Sequence, residues 1–124
     1  MFPESITTDR LRHERLCHDN VNLDTFFRIC AYDEGIEEIT RYMPWTPHET
    51  IKESKEFIDS TEQKWMDGES LKYIIRPTPS EDGAGEFAGL TGLKLDWERR
   101  TAIEWIWLRK QFWGREYTVK VHLP

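Results

Sequence analysis

The sequence predicts an α+β fold. Two stretches of helical periodicity stand together in the first half of the chain, three strand-like runs follow one another in the second, and turn formers punctuate the whole. Helices and strands thus come in blocks rather than in alternation, which favours an antiparallel sheet with helices packed against it. At 124 residues the chain is expected to form a single domain around one core.

Residues 6–16, ITTDRLRHERL, set Ile6, Leu11 and Leu16 among polar neighbours and read as one outer strand with a wet face. Asn20 or Asn22 can cap a helix whose Leu23, Phe26, Phe27 and Cys30 share a stripe at spacings of three and four. Gly35 interrupts, and a short turn over residues 36–42 leads to Met43-Pro44-Trp45-Thr46-Pro47, a stiff aromatic loop whose prolines cannot continue a helix. Thr50 with Glu53 forms a capping-box signature. From it a helix runs from residue 51 to about 67, with Ile51, Ser54, Ile58, Thr61 and Trp65 on one face, Phe57 beside it, and Gly68 as a left-handed stop.

Residues 71–76 are a strand by composition, and residues 77–85, rich in Pro, Ser, Asp and Gly, are an exposed connection. Residues 86–95 form the next strand, where Gly89 and Gly92 indicate a bulge or a close backbone approach. After a turn over residues 96–100, Ile103, Trp105 and Trp107 alternate with Ala102, Glu104, Ile106 and Leu108. That pattern reads as a strand buried on both faces and central in its sheet. It runs straight into Arg109, Lys110, Gln111, Phe112, Trp113, Gly114 and Arg115, a basic turn where free amides and positive charge can meet an anion.

A net charge of −6 argues against a nucleic-acid or anionic-membrane surface. No apolar run approaches the ~18 residues of a membrane helix, and the first residues carry no signal-peptide pattern, so a cytoplasmic location is expected. Cys17 and Cys30 are then reduced thiols. His13, Cys17 and His18 lie close together but lack the further ligands a metal needs, and no metal is expected; His48 and His122 stand alone, with surface or capping roles as the default.

Gln111-Phe112-Trp113-Gly114-Arg115-Glu116, preceded by the strand end Trp107-Leu108, resembles the pyrophosphate loop of the GNAT superfamily of N-acetyltransferases, Gln/Arg-x-x-Gly-x-Gly/Ala, in its Rim-type, ribosomal-protein-alanine acetyltransferase-like branch. Glu116 departs from the pattern, placing a carboxylate where the family has Gly or Ala. The element order resembles the N-terminal half of the GNAT fold: strand, two helices and a three-strand antiparallel meander ending in the cofactor loop. Residues 118–124 alternate like a strand where the family continues into a helix, so the chain is expected to be truncated after that loop and impaired in activity.

The resemblance implies acetyl-coenzyme A as co-substrate and an amine or peptide N-terminus as acceptor. Ile106, Trp107 and Leu108 would pair with the pantetheine arm, Gln111 would open the loop, and the diphosphate would sit over the amides of Phe112, Trp113, Gly114, Arg115 and Glu116. The family's glutamate base falls on Ile103, with Glu104 one place on and facing the other side. Either a bulge brings Glu104 into the site as the catalytic base, or Glu104 is structural and pairs with Arg99 or Arg109. The loop Tyr42-Met43-Pro44-Trp45-Thr46-Pro47 would lie beside the amine, gripping it or simply packing on the sheet. The alternative is a non-catalytic remnant or interaction module that self-associates through an exposed sheet edge, with Trp105 and Trp107 uncovered on one face and Ile106 and Leu108 on the other.

Overall fold

The computed structural model describes residues 2–41 and 43–114. Strands β1 (Ser5–Thr7), β2 (Leu11–Arg15), β3 (Ser70–Pro77), β4 (Gly89–Asp96) and β5 (Thr101–Leu108) form one antiparallel sheet in chain order, with helices α1 (Leu23–Tyr32), α2 (Ile36–Thr40) and α3 (Ile51–Met66) inserted between β2 and β3.

The outer strand expected over residues 6–16 is two strands. Thr8 Oγ1 accepts from the Leu11 amide at 3.2 Å and donates to its carbonyl at 3.1 Å, so Thr8, Asp9 and Arg10 make a tight turn instead of extending. The helix signals hold. Asn22 Oδ1 caps α1 through the Thr25 amide, Thr50 Oγ1 caps α3 through the Glu53 amide, and Gly68 stops α3 at φ 69°. Phe26, Ile29 and Cys30 of α1 and Ser54, Ile58, Thr61 and Trp65 of α3 are buried. Ile51, expected on that face, is 44% exposed, and the buried face of α3 begins at Ser54. Pro77 and Thr78, expected in an exposed connection, are buried: Pro77 still belongs to β3, and Thr78 Oγ1 donates to the Asp9 carbonyl at 2.8 Å.

The helix-covered face carries Ile74, Lys72, Leu90, Gly92, Trp105 and Trp107, and its core joins Leu16, Phe26, Cys30, Ile39, Ile58 and Phe87. On the other face, Leu11, Ile75, Leu108 and Phe112 form one cluster, and Leu71 and Tyr73 a second with Trp65. The Tyr73 hydroxyl donates to the Pro3 carbonyl at 2.7 Å, and burial pushes its pKa up to about 12.

Strand β5 is not central: among the described residues it forms one edge of the sheet, β1 the other. Thr101, Ala102, Ile103 and Glu104 are exposed, whereas Trp107 and Leu108 are buried. The apolar alternation therefore marks burial only in the second half of the strand, where Trp45 and Phe87 cover Trp107 and Phe112 covers Leu108. The glycines of β4 mark close approach: the β4–β5 register runs unbroken from Gly89↔Leu108 to Asp96↔Thr101, whereas on the β3 side Ala88 and Gly89 both stand against Ile75, whose carbonyl accepts from the Ala88 amide at 2.8 Å, the two-against-one pattern of a bulge. A Cβ on Gly89 would collide with the Trp107 carbonyl, and one on Gly92 would lie 2.5 Å from the Trp105 ring.

Candidate functional site

A cavity of about 470 Å³ opens on the helix-covered face where β3, β4 and β5 pass under α1, α3 and the loop after α2. Five aromatic side chains, Phe26, Trp45, Phe57, Trp105 and Trp107, line it. Trp45 lies 5.5 Å from Trp107 between ring centroids, and Phe26 stacks on Phe57 at 5.8 Å. Gly92 leaves the room in which the Trp105 ring rests. The proline-bounded loop is pinned where the His48 amide donates to the Cys30 carbonyl at 3.0 Å. Trp45 thus both packs the loop onto the sheet and lines the cavity; Tyr42 lies outside the described residues.

Two nitrogens bring chemistry to this apolar space. His48 sits among Phe26, Trp45 and Phe57, its ring 5.7–6.0 Å from theirs between centroids, and its Nδ1 is held 2.6 Å from the fully buried Ser54 Oγ. Burial lowers the His48 pKa, with Glu53 pulling weakly upward, so the imidazole is neutral at pH 7. Lys72 points its ammonium over the Phe57 face at 5.6 Å. Burial, aided by Lys64 and opposed by Glu69, lowers its pKa, and among the described residues no carboxylate lies within ion-pair distance. Cys30 contributes no thiolate, because burial first and Asp33 second push its pKa up.

The surface or capping role expected for His48 is replaced by a place among three aromatic rings, and the sequence reading marks no site role for Lys72 at all. The available signal was Lys72 itself, a cation in the middle of an apolar strand, facing the same side as Ile74. Ile103, on which the resemblance places a base, lines the cavity and supplies no titratable group. Glu104 projects from the opposite face. No bulge turns it, and the ion pairs expected for it are made elsewhere: Arg109 is bidentate to Asp33 at 2.9 and 3.0 Å, and Arg99 reaches Asp96.

The outer edge of β5 runs along the cavity. The Arg109 amide donates to the Ala88 carbonyl, which fixes the phase of the ladder: Leu90 and Trp107 exchange hydrogen bonds, and the main-chain groups of Ile106 and Leu108 point away from β4. Among the described residues no strand pairs with them. The Leu108 carbonyl accepts from Trp113 Nε1 at 2.8 Å. Beyond β5 the chain makes a single 3₁₀ turn, Lys110–Phe112, and Gly114 follows at φ 81°. The Phe112 and Trp113 amides are engaged inside that turn, donating to Arg109 and Lys110 carbonyls at 2.8 and 3.1 Å, and the Phe112 ring is buried. Gln111 is exposed, and Arg115 and Glu116 lie outside the described residues.

His18 Nε2 lies 2.7 Å from Asp59 Oδ1, and Glu62 completes a group of metal-type donors within 4.8 Å. Those donors already serve one another: Glu62 accepts from the His18 amide and Asp59 from Lys55. No helix among the described residues is long and apolar enough to cross a membrane.

A family model described as Acetyltransferase (GNAT) domain matches residues 11–122. The fold is similar to that of the microcin C7 self-immunity acetyltransferase MccE in complex with acetyl-CoA and AMP, with TM-score 0.74 and 17% identity over 91% of this chain and 59% of that one. It is similar also to the ribosomal-protein alpha-N-acetyltransferase RimL, without ligand at TM-score 0.68 and 14% identity over 90% of this chain and 56% of that one. RimL in complex with coenzyme A matches at TM-score 0.67 and 14% identity, over 90% of this chain and 59% of that one. The chain spans less than two thirds of the length of each. It matches no curated protein.

Proposed function

We propose, from the premise that this chain belongs to the GNAT acetyltransferase domain family, that its single domain serves the transfer of an acetyl group from acetyl-coenzyme A to an amine. The observation that carries this reading is the outward-facing main chain of Ile106 and Leu108 beside an aromatic cavity. A pantetheine arm laid along that edge extends the sheet by main-chain hydrogen bonds, and an amine in the cavity reaches the thioester from the helix side. The amine first loses a proton from its ammonium form. Its nitrogen attacks the thioester carbonyl, an outward N–H of β5 stabilises the oxyanion, the C–S bond breaks, and the departing thiolate takes up the remaining proton.

In this proposal Ile106 and Leu108 hold the arm by their main chain, and the Trp107 ring walls the amine side. Gln111, Phe112, Trp113, Gly114, Arg115 and Glu116 border the diphosphate. Glu104, on the far face, takes no proton. Because the Phe112 and Trp113 amides are engaged and Glu116 adds a like charge, two or three charge-assisted hydrogen bonds of about 1.5–3 kcal/mol are weakened. The affinity for acetyl-coenzyme A is therefore expected near millimolar. The two buried free cysteines suit a reducing cytoplasm.

Calorimetry with Ile106→Pro tests the reading, since proline removes the outward N–H while sparing the β4 ladder. Acetyl-coenzyme A is expected to bind the natural chain weakly and the variant at least about tenfold less. Equal binding by both, or no heat at millimolar concentrations, overturns it. A second reading, self-association through the edge of β5, is favoured by Ile103, 67% exposed on an unpaired edge. Sedimentation would show an oligomer that Ile103→Lys dissolves; a monomer at all concentrations refutes it.

A further inference from the structure

The aromatic cavity carries two features that an amine site in general does not require. A plain cation would find Lys72 already there, a half-buried ammonium that repels it, with no carboxylate among the described residues within ion-pair distance and only Glu69 acting on it from farther off. A plain apolar ligand would leave His48 Nε2 unused, although Ser54 fixes the ring through Nδ1 and no described residue bonds the other nitrogen. Both nitrogens approach the same Phe57 ring, one from α3's N-terminal side and the other from β3.

We infer that the cavity receives an aromatic amino acid, its ring between Trp45, Trp105 and Trp107, its carboxylate on Lys72 and its amino group on His48 Nε2. The inference rests on the acetyl-transfer reading for the fate of the amine, but the binding site is defined without it. The ring replaces water against three indoles, and the carboxylate supplies the charge that Lys72 lacks. Neutral His48 accepts a hydrogen bond from the ammonium and is placed to take its proton as the nitrogen attacks, becoming imidazolium while the ammonium becomes amine.

The groups facing His48 are few. Glu53 and Ser54 approach from α3, Cys30 from α1 and Lys72 from β3, while β5 offers only Ile103, Trp105 and Trp107. Protonation of His48 would place a second cation in the cavity that Lys72 lines and against the ligand's ammonium. Burial holds the His48 pKa below the usual value near 6.5, so affinity is flat above that pH and falls below it.

Calorimetry with L-phenylalanine, phenethylamine, 3-phenylpropionate and spermidine tests the inference on the natural chain. Phenylalanine should bind about tenfold or more tightly than either analogue that lacks one charged group, and spermidine weakest. Lys72→Met should erase the advantage of phenylalanine over phenethylamine, and His48→Gln should erase the acid-side loss. Equal binding of all four ligands, no binding of any, or a preference for spermidine overturns the inference, whether or not the variants fold. Acetyl-coenzyme A titrated into the same samples separates the two claims: if it binds and phenylalanine does not, the inference falls alone. If phenylalanine binds and acetyl-coenzyme A does not, the site stands and the transfer reading falls.

Discussion

The aromatic cavity and the basic turn after β5 sit at the same end of the sheet and differ in what they leave open. In the cavity, packing consumes the carbon surfaces and leaves two nitrogens, His48 Nε2 and Lys72 Nζ, without described polar partners. In the turn the reverse holds: Phe112 and Trp113 spend their amides on a 3₁₀ turn, Trp113 Nε1 closes on Leu108, and Arg109 is locked to Asp33 and the Phe87 carbonyl. Preorganisation favours binding only where the polar groups of a rigid site remain unspent. By that measure the cavity, the acceptor side in the proposed reaction, is ready for a ligand, and the turn proposed to border the diphosphate must first give up internal bonds.

The strongest challenge to this contrast is to pry the two strands apart beneath the cavity. Gly89→Val pushes a side chain into the Trp107 carbonyl, and a loss of about 3 kcal/mol in stability is expected, with the cavity disrupted. Chemical denaturation with tryptophan fluorescence measures it; a change under about 0.5 kcal/mol would mean that β4 and β5 are not held as described. Asp33→Ala attacks the other region. It leaves the mostly buried Arg109 guanidinium with the Phe87 carbonyl and the Phe112 ring but no described counter-charge, and about 2 kcal/mol should be lost, less than a fully buried pair because both partners keep some solvent. The same variant should loosen the turn without changing phenylalanine binding, which calorimetry would read.

A smaller effect comes from pH. His13, 1% exposed with neither ring nitrogen in hydrogen-bond geometry, has its pKa lowered by burial, the nearby Ile6 backbone pulling weakly the other way; His48 shifts down as well. Below the unfolded value near 6.5 the unfolded chain binds more protons than the folded one, so stability is level above that pH and declines as pH falls through it. His13→Leu should shallow the decline in a denaturation series at several pH values, and an unchanged slope would place the titration elsewhere.

How far the sequence could be read follows from the range of each interaction. The caps of Asn22 and Thr50 and the Gly68 stop depend on neighbours within four residues and are present, while the α1 stripe holds at Phe26 and Cys30 but takes Ile29 rather than Phe27 into the core, Phe27 packing on the exposed Tyr32. The Thr8 turn was missed because residues 6–16 alternate well enough for one strand, and a single threonine side chain bonding Leu11 breaks them. The edge position of β5 was hidden because its side-chain alternation reports what covers the two faces, not whether another strand pairs along its outer edge. The cavity's nitrogens were hidden for a related reason: His48 and Lys72 are 24 residues apart, and only the folding of α3 back onto β3 brings both to Phe57.

The proposed acetyl transfer requires the thioester carrier to lie along the outward edge of β5. Amide NMR of the natural chain titrated with acetyl-coenzyme A tests this most directly. The predicted result is shifts concentrated at Ile106 and Leu108, with Trp107 and the β4 ladder moving less and the response nearing saturation only at millimolar ligand. Saturating binding that leaves Ile106 and Leu108 unmoved would contradict it.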